Sequence, residues 1–257
     1  SESNKRNFIV HGSILAIAGI LVRIIGMLYR IPVVNIIGSE GNGIYGAAFN
    51  IYNIMLVLSS YGLPMAVSKL VSARFTKKRY KSAAKVLRCS LMVAVCTGGI
   101  AALLVFFGAA FIENVIYGGG LPGLAVPLRI LAPTIFLVAI LGVIRGFFQG
   151  QSTMIPTAVS QILEQIVNAI VSIAAGYGMM KAFASSPDVA AYGAAGSTLG
   201  TAMGALTAVL FMGFLYAVYT PTFNRLKRKD RHTENQSTGQ ICKIIIYTMI
   251  PLSLIHI

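Results

Sequence analysis

Two arginines pose the chemical question in this chain. Arg23 and Arg30 stand inside an almost wholly apolar stretch of thirty residues, Phe8 to Ile37. At about 1.5 Å per residue, a helix of that length exceeds a bilayer's ~30 Å hydrocarbon core. An arginine at membrane depth costs roughly 3 kcal/mol on insertion scales, so it needs a compensating role. The spacing of seven puts both on one face, because two helical turns take about 7.2 residues. Gly19, Gly26 and Met27 lie on or beside that face, while Ile17, Leu21, Ile24, Leu28 and Ile31 form a lipid-compatible face opposite. Two chemistries fit. Both arginines line a wet cavity and hold an anionic group, or Arg30 snorkels to the interface and Arg23 pairs with a carboxylate.

The carboxylate for such a pair lies further along. Gln161, Glu164, Gln165 and Asn168 repeat at i, i+3, i+4 and i+7, and Thr157 and Ser172 extend the stripe. A polar stripe of this kind faces protein or water, not lipid. Glu164 is either a proton or cation site or the structural counter-ion of Arg23, Arg129 or Arg145, and the structural role is favoured. Asn50 and Asn53 add a second polar pair on another apolar segment. Among ordinary catalytic sets nothing forms: no nucleophile–base pair, no span-edge Asp pair and no metal-ligand spacing. Cys89, Cys96 and Cys242 make no disulfide framework, and the three histidines are scattered. Gly118-Gly119-Gly120 lacks the lysine and strand of a phosphate loop and reads as a flexible turn. We therefore expect no catalytic residue, no cofactor and no metal.

The elements that must hold these residues are membrane helices. The chain is 56% hydrophobic and 11% charged, against about 25% charged in soluble domains. It reads as an all-α integral membrane protein. Six spans are expected at about 8–37, 44–68, 86–112, 125–148, 155–180 and 193–219. A flexible basic linker is expected next at about 220–240, and a seventh helix opens near 241. The polar loop Gly38-Ser39-Glu40-Gly41-Asn42-Gly43 separates the first two spans, and Pro64 bends or ends the second. Pro127 and Pro133 imply a kinked or late-starting fourth span. Gly196, Gly200 and Gly204 give two GxxxG units, a close-packing signal.

The net charge of +14 could suggest nucleic acid, but the basic residues cluster between spans and no nucleic-acid motif is present. Sixteen lysines and arginines fall in the amino-terminal tail, Ser68–Arg88 and Thr220–Lys243, whereas the alternate loops hold only Lys181. That asymmetry places the amino terminus in the cytoplasm. The basic loops are expected to touch anionic membrane lipids. The final residues, Leu252-Ser253-Leu254-Ile255-His256-Ile257, also read as the translation of a transposon-based sequencing adaptor, so a truncated seventh helix is expected.

Several stretches resemble the multidrug/oligosaccharidyl-lipid/polysaccharide (MOP) exporter superfamily, and within it the lipid II flippase and spore-cortex "stage V sporulation protein B" branch. They are Gly26-Met27-Leu28-Tyr29-Arg30-Ile31-Pro32, Ile37 to Tyr45, Tyr61 to Lys69, Arg145 to Gly150 and, most specifically, Met154 to Gln165. The resemblance implies the six-helix N-terminal lobe of a MOP/MATE-like transporter plus the start of a seventh transmembrane helix, with a second lobe missing. It implies a flippase of a bacterial cytoplasmic membrane that moves an undecaprenyl-diphosphate-linked sugar, such as lipid II, by alternating access. Arg23, in its R-x-x-G setting with Gly26, matches a diphosphate-binding arginine of that branch. Arg30 lies one residue beyond the expected second position, and Asn50 and Asn53 stand where some members carry an arginine. On this reading Arg23, Arg30, Asn50 and Asn53 contact substrate, while Gln161, Glu164, Gln165, Asn168 and Arg145 form a polar cavity or ion pair. Two alternatives stay open: a cation-coupled multidrug antiporter of the related MATE branch, and a capsule or O-unit-type polysaccharide exporter.

Overall fold

The computed structural model describes residues 2–232 and 236–254; for 2–11 and 252–254 only the backbone is described. The adaptor-like ending thus falls largely outside the described side chains. The architecture is all helical: α1 (Glu2–Ser59), α2 (Leu63–Thr76), α3 (Tyr80–Phe111) with a π-helical turn at Ile112–Ile116, α4 (Ala125–Gly150), α5 (Ile155–Ala182), α6 (Val189–Lys229) and α7 (Thr238–Leu254). Five helical runs are long and apolar enough to cross a membrane. This is a multi-pass membrane protein.

α1 is a hairpin. Its helical geometry breaks at Gly38, where φ is 71° and ψ −175°, a conformation open to glycine and costly for other residues. The Arg30 guanidinium then lies 5.2 Å from the Tyr45 ring. Fifteen residues of unbroken helix would separate those positions by roughly 22 Å, so the chain must fold back. The turn is tighter than the six-residue loop expected from Gly38 to Gly43.

The second span also ends earlier than its hydropathy suggests. Ser60 and Tyr61 N–H groups both donate to the Leu56 carbonyl, at 2.9 and 3.0 Å, which unwinds the helix. Pro64 then sits in the first turn of α2, where a missing N–H costs nothing. The expected linker at 220–240 is a larger correction. α6 continues through Pro221 to Lys229. The extension is held because Phe223 is buried among Phe75, 6.1 Å away, and Phe147, 5.3 Å away. Apolar burial outweighs the proline penalty. The glycine-rich turn before α4 is likewise pinned: Glu113 accepts the N–H groups of Gly123 at 3.1 Å and Ala125 at 2.7 Å.

Two apolar cores occupy opposite ends of the bundle. One, at the basic end, joins α2, α3, α4, α6 and α7 through Val67, Val86, Leu141, Phe147, Phe223 and Ile245. The other surrounds the Gly38 turn with Val33, Ile44, Tyr45, Leu124, Leu128 and Leu131. Between them, helices meet through glycine. A Cβ on Gly204 would lie 2.6 Å from the Glu164 carbonyl oxygen, and one on Gly200 would lie 2.6 Å from the Ser172 backbone nitrogen. The GxxxG stripe of α6 is therefore pressed on the α5 backbone. A second stripe runs along α4: a Cβ on Gly142 would reach 2.9 Å from Pro64 and one on Gly150 would reach 2.8 Å from the Ser68 carbonyl. It shares the four-residue spacing of the α6 row.

Candidate functional site

α5 carries the polar seam. Gly193, Gly196, Gly200 and Gly204 let α6 close on its Asn168–Ser172 side, and α1 and α4 also reach the seam. Glu164 receives Arg145 from α4, with Nη2 to Oε2 at 2.8 Å and side chains only 14% and 24% exposed. Arg145 Nε also donates to Ser160 Oγ at 2.8 Å, and Ser160 donates on to the Thr157 carbonyl at 2.8 Å. The guanidinium thus bridges two turns of α5. Of the three arginines weighed as partners for Glu164, the structure selects Arg145.

Beyond the pair, a cavity of about 280 Å³ opens, lined by Arg145, Gln149, Gln161, Ser60 and Tyr61 among others. Gln149 reaches Thr157 Oγ1 at 3.4 Å. Gln161 and Arg145 therefore share one cavity.

The first arm of α1 runs parallel to α5 at constant offset. Gly26 meets Gln165, whose Nε2 would lie 3.2 Å from a Cβ there. Tyr29 Oη accepts from Asn168 Nδ2 at 3.3 Å. Asn168 Oδ1 in turn accepts from Ser172 at 2.9 Å and Thr201 at 3.4 Å. Asn168 and Ser172 are buried, so their polar atoms are satisfied inside the lobe. The seam along α5 thus has a structural upper part and an ion-paired lower part. Sequence reasoning misses Tyr29, Thr201 and Ser160, although Ser160, three residues after Thr157 and four before Glu164, falls on the same helical stripe and could have been read from it.

Arg23, Arg30, Asn50 and Asn53 are not drawn into that seam. All four are exposed on the lobe. On the helical wheel Arg23 and Arg30 sit roughly 40–60° around from Gly26, so they flank the α5-facing side. Counting outward from the turn on both arms from the Arg30–Tyr45 contact puts Arg23 level with Tyr52 and Asn53. Among the described residues, the ion pairs are Arg145–Glu164 and His232–Asp230, and neither involves Arg23 or Arg30. Arg30 has the Tyr45 ring as an aromatic neighbour. No group of three or more His, Cys, Asp or Glu side chains gathers as a metal site among the described residues.

Residues 9–246 match the family model described as polysaccharide biosynthesis protein. The chain belongs to that family. It sits within the MOP exporter superfamily, on the branch that resembles lipid II flippases. The chain is 34% identical over 176 residues to the lipid II flippase MurJ of Bacillus subtilis (strain 168), covering 66% of this chain and 32% of that protein. It is 30% identical over 210 residues to stage V sporulation protein B of the same organism, covering 81% of this chain and 39% of that one. It therefore spans less than half the length of these relatives. Among solved structures, MATE in the straight conformation superposes with a TM-score of 0.76 at 16% identity, covering 97% of this chain and 52% of that chain. At that identity the likeness concerns the fold alone.

Proposed function

We propose that this chain is the amino-terminal lobe of a flippase that moves an undecaprenyl-diphosphate-linked sugar precursor, of the lipid II class, across a bacterial cytoplasmic membrane. The basic end faces the cytoplasm, and a second lobe, beyond this chain, closes the cavity for alternating access. One observation carries the reading. Arg145 already neutralises Glu164 at 2.8 Å, so Arg23 and Arg30 stand exposed at membrane depth with no carboxylate partner among the described residues. Two uncompensated guanidinium groups there favour an anion. A diphosphate suits them, because the planar fork offers paired donors to phosphate oxygens. Asn53, at the depth of Arg23, offers amide donors and acceptors for sugar or phosphate.

The paired state of Glu164 weighs against the cation-coupled antiporter, which needs a carboxylate free to exchange. A capsule or O-unit-type exporter is the nearest variant, since it would present the same diphosphate.

The test places R23A, R23K and R23A/E164Q in a full-length transporter, with complementation of a flippase-depleted strain and membrane abundance as readouts. R23A is expected to abolish complementation at unchanged abundance. R23K should recover part of it, since it keeps the charge and loses the bidentate fork. The double variant should stay inactive, because Glu164 belongs to Arg145. Full activity of R23A would overturn the substrate-binding role.

A further inference from the structure

We infer that the basic end of the lobe holds a discrete binding site for the phosphate of an anionic phospholipid, between α3, α6 and the start of α7. The site is a groove of about 520 Å³ walled by Lys81, Lys85 and Arg88 of α3, Lys227 of α6 and Thr238 of α7. That volume falls in the range of small-ligand pockets, roughly 300–1,000 Å³.

Four basic residues line it, Lys227 with its Nζ 5.1 Å from the Phe223 ring, and among the described residues no acidic side chain lines the groove. Lys81, Lys85 and Arg88 lie at i, i+4 and i+7 on one face of α3, in its first turns. Like charges so placed repel each other, and cations near a helix amino terminus are disfavoured by its dipole as well. A bound phosphate removes both penalties. The acid nearby in the chain path, Asp230, is already engaged: it accepts the Lys81 N–H at 2.8 Å and the His232 N–H at 2.9 Å.

The choice of a lipid over a free anion rests on the surface beyond the cations. The same α3 face continues through Met92, 47% exposed, to Val95, 47% exposed. A basic stripe that becomes apolar with depth matches a headgroup above an acyl chain. Occupancy would also brace α7, because Lys85 Nζ donates to the Gln236 carbonyl and Cys89 Sγ contacts the Thr238 carbonyl at 3.7 Å.

The experiment uses the protein purified in neutral detergent, with native mass spectrometry and thermal melting as readouts. Phosphatidylglycerol, phosphatidylcholine and inorganic phosphate are titrated separately. Saturable binding of phosphatidylglycerol with a raised melting temperature is expected, with phosphatidylcholine inert and inorganic phosphate competing only weakly. K81Q/R88Q replaces two exposed cations that anchor no other segment; affinity should fall roughly fivefold per charge removed. K69Q/K77Q, with the same net charge change on α2 and its C-cap, should leave affinity intact. Equal losses in the two double variants would show diffuse charge attraction and overturn the site. Stabilisation by inorganic phosphate as large as that by phosphatidylglycerol would overturn the lipid assignment. K81Q/R88Q melting below the parent without lipid would contradict the repulsion on which the inference stands.

Discussion

Replacing Arg145 with glutamine should strand the Glu164 carboxylate inside the lobe. The pair is separated by 2.8 Å, with side chains 14% and 24% exposed. At an effective dielectric of about 20, unit charges ~4 Å apart attract by ~4 kcal/mol. That figure is gross, since both ions also lose hydration. R145Q further removes the donor to Ser160 Oγ, worth about 1 kcal/mol. Breaking one side of a buried pair typically costs about 3–5 kcal/mol, and the partial exposure here argues for the lower end, ~3 kcal/mol. E164Q should cost less, ~2 kcal/mol, because Arg145 keeps Ser160 and borders the cavity beside Gln149 and Gln161. The double variant R145Q/E164Q leaves two neutral amides able to bond each other, and should cost only ~1–2 kcal/mol. The coupling energy is then about 3–4 kcal/mol. Reversible unfolding in mixed micelles of dodecyl sulfate, followed by circular dichroism, measures it for all four proteins. A coupling under ~0.5 kcal/mol would refute the reasoning, since that is the scatter expected of independent sites.

Packing and a buried carboxylate give two more expected outcomes. G200A places a methyl against the Ser172 backbone nitrogen, 2.6 Å away, so α5 and α6 must part; a loss of about 2–3 kcal/mol in the same unfolding assay is expected, whereas G213A, with open space around it, should be neutral or slightly stabilising. Asp230 is buried, which by itself would raise its pKa, but the N–H groups of Lys81 and His232 and the His232 ring outweigh burial and hold it below its ordinary 3.8. A carboxyl depressed in the folded state stabilises above its unfolded pKa and loses that contribution as pH falls through the folded one. D230N should therefore melt below the parent at neutral pH, with the gap closing as pH drops under 3.8; a gap independent of pH would contradict this.

Legibility in the sequence varies by residue. The α5 stripe of Gln161, Glu164, Gln165 and Asn168 can be read because a helix repeats regularly, and polar groups on one face of an apolar helix leave one place to put that face. The Gly38 turn is visible in its Gly and Asn content, though not its tightness. Four-residue glycine rows spell close packing; the row on α6 stands out, whereas the one on α4 is diluted by the bulky apolar residues around it. Hydropathy misjudges the end of α6, because a run of Arg225, Lys227, Arg228 and Lys229 looks like solvent-exposed linker. What continues that helix is Phe223, buried between Phe75 and Phe147.

The sequence by itself determined the class of structure and the inventory of costly groups: apolar spans, a basic end, and a few charges at membrane depth. Periodicity and composition are local properties, so one chain is enough to read them. Only the tertiary structure decided which arginine meets Glu164. Arg23, Arg129 and Arg145 were equal candidates on composition and depth. The choice depends on the register and rotation of α4 against α5, with backbones drawn close by the α6 glycines on α5 and by the α4 glycines on α2. Side chains that project a few ångströms cannot reach around a helix, so that rotation gave the carboxylate to Arg145, while Arg23 and Arg30 on α1 stay exposed.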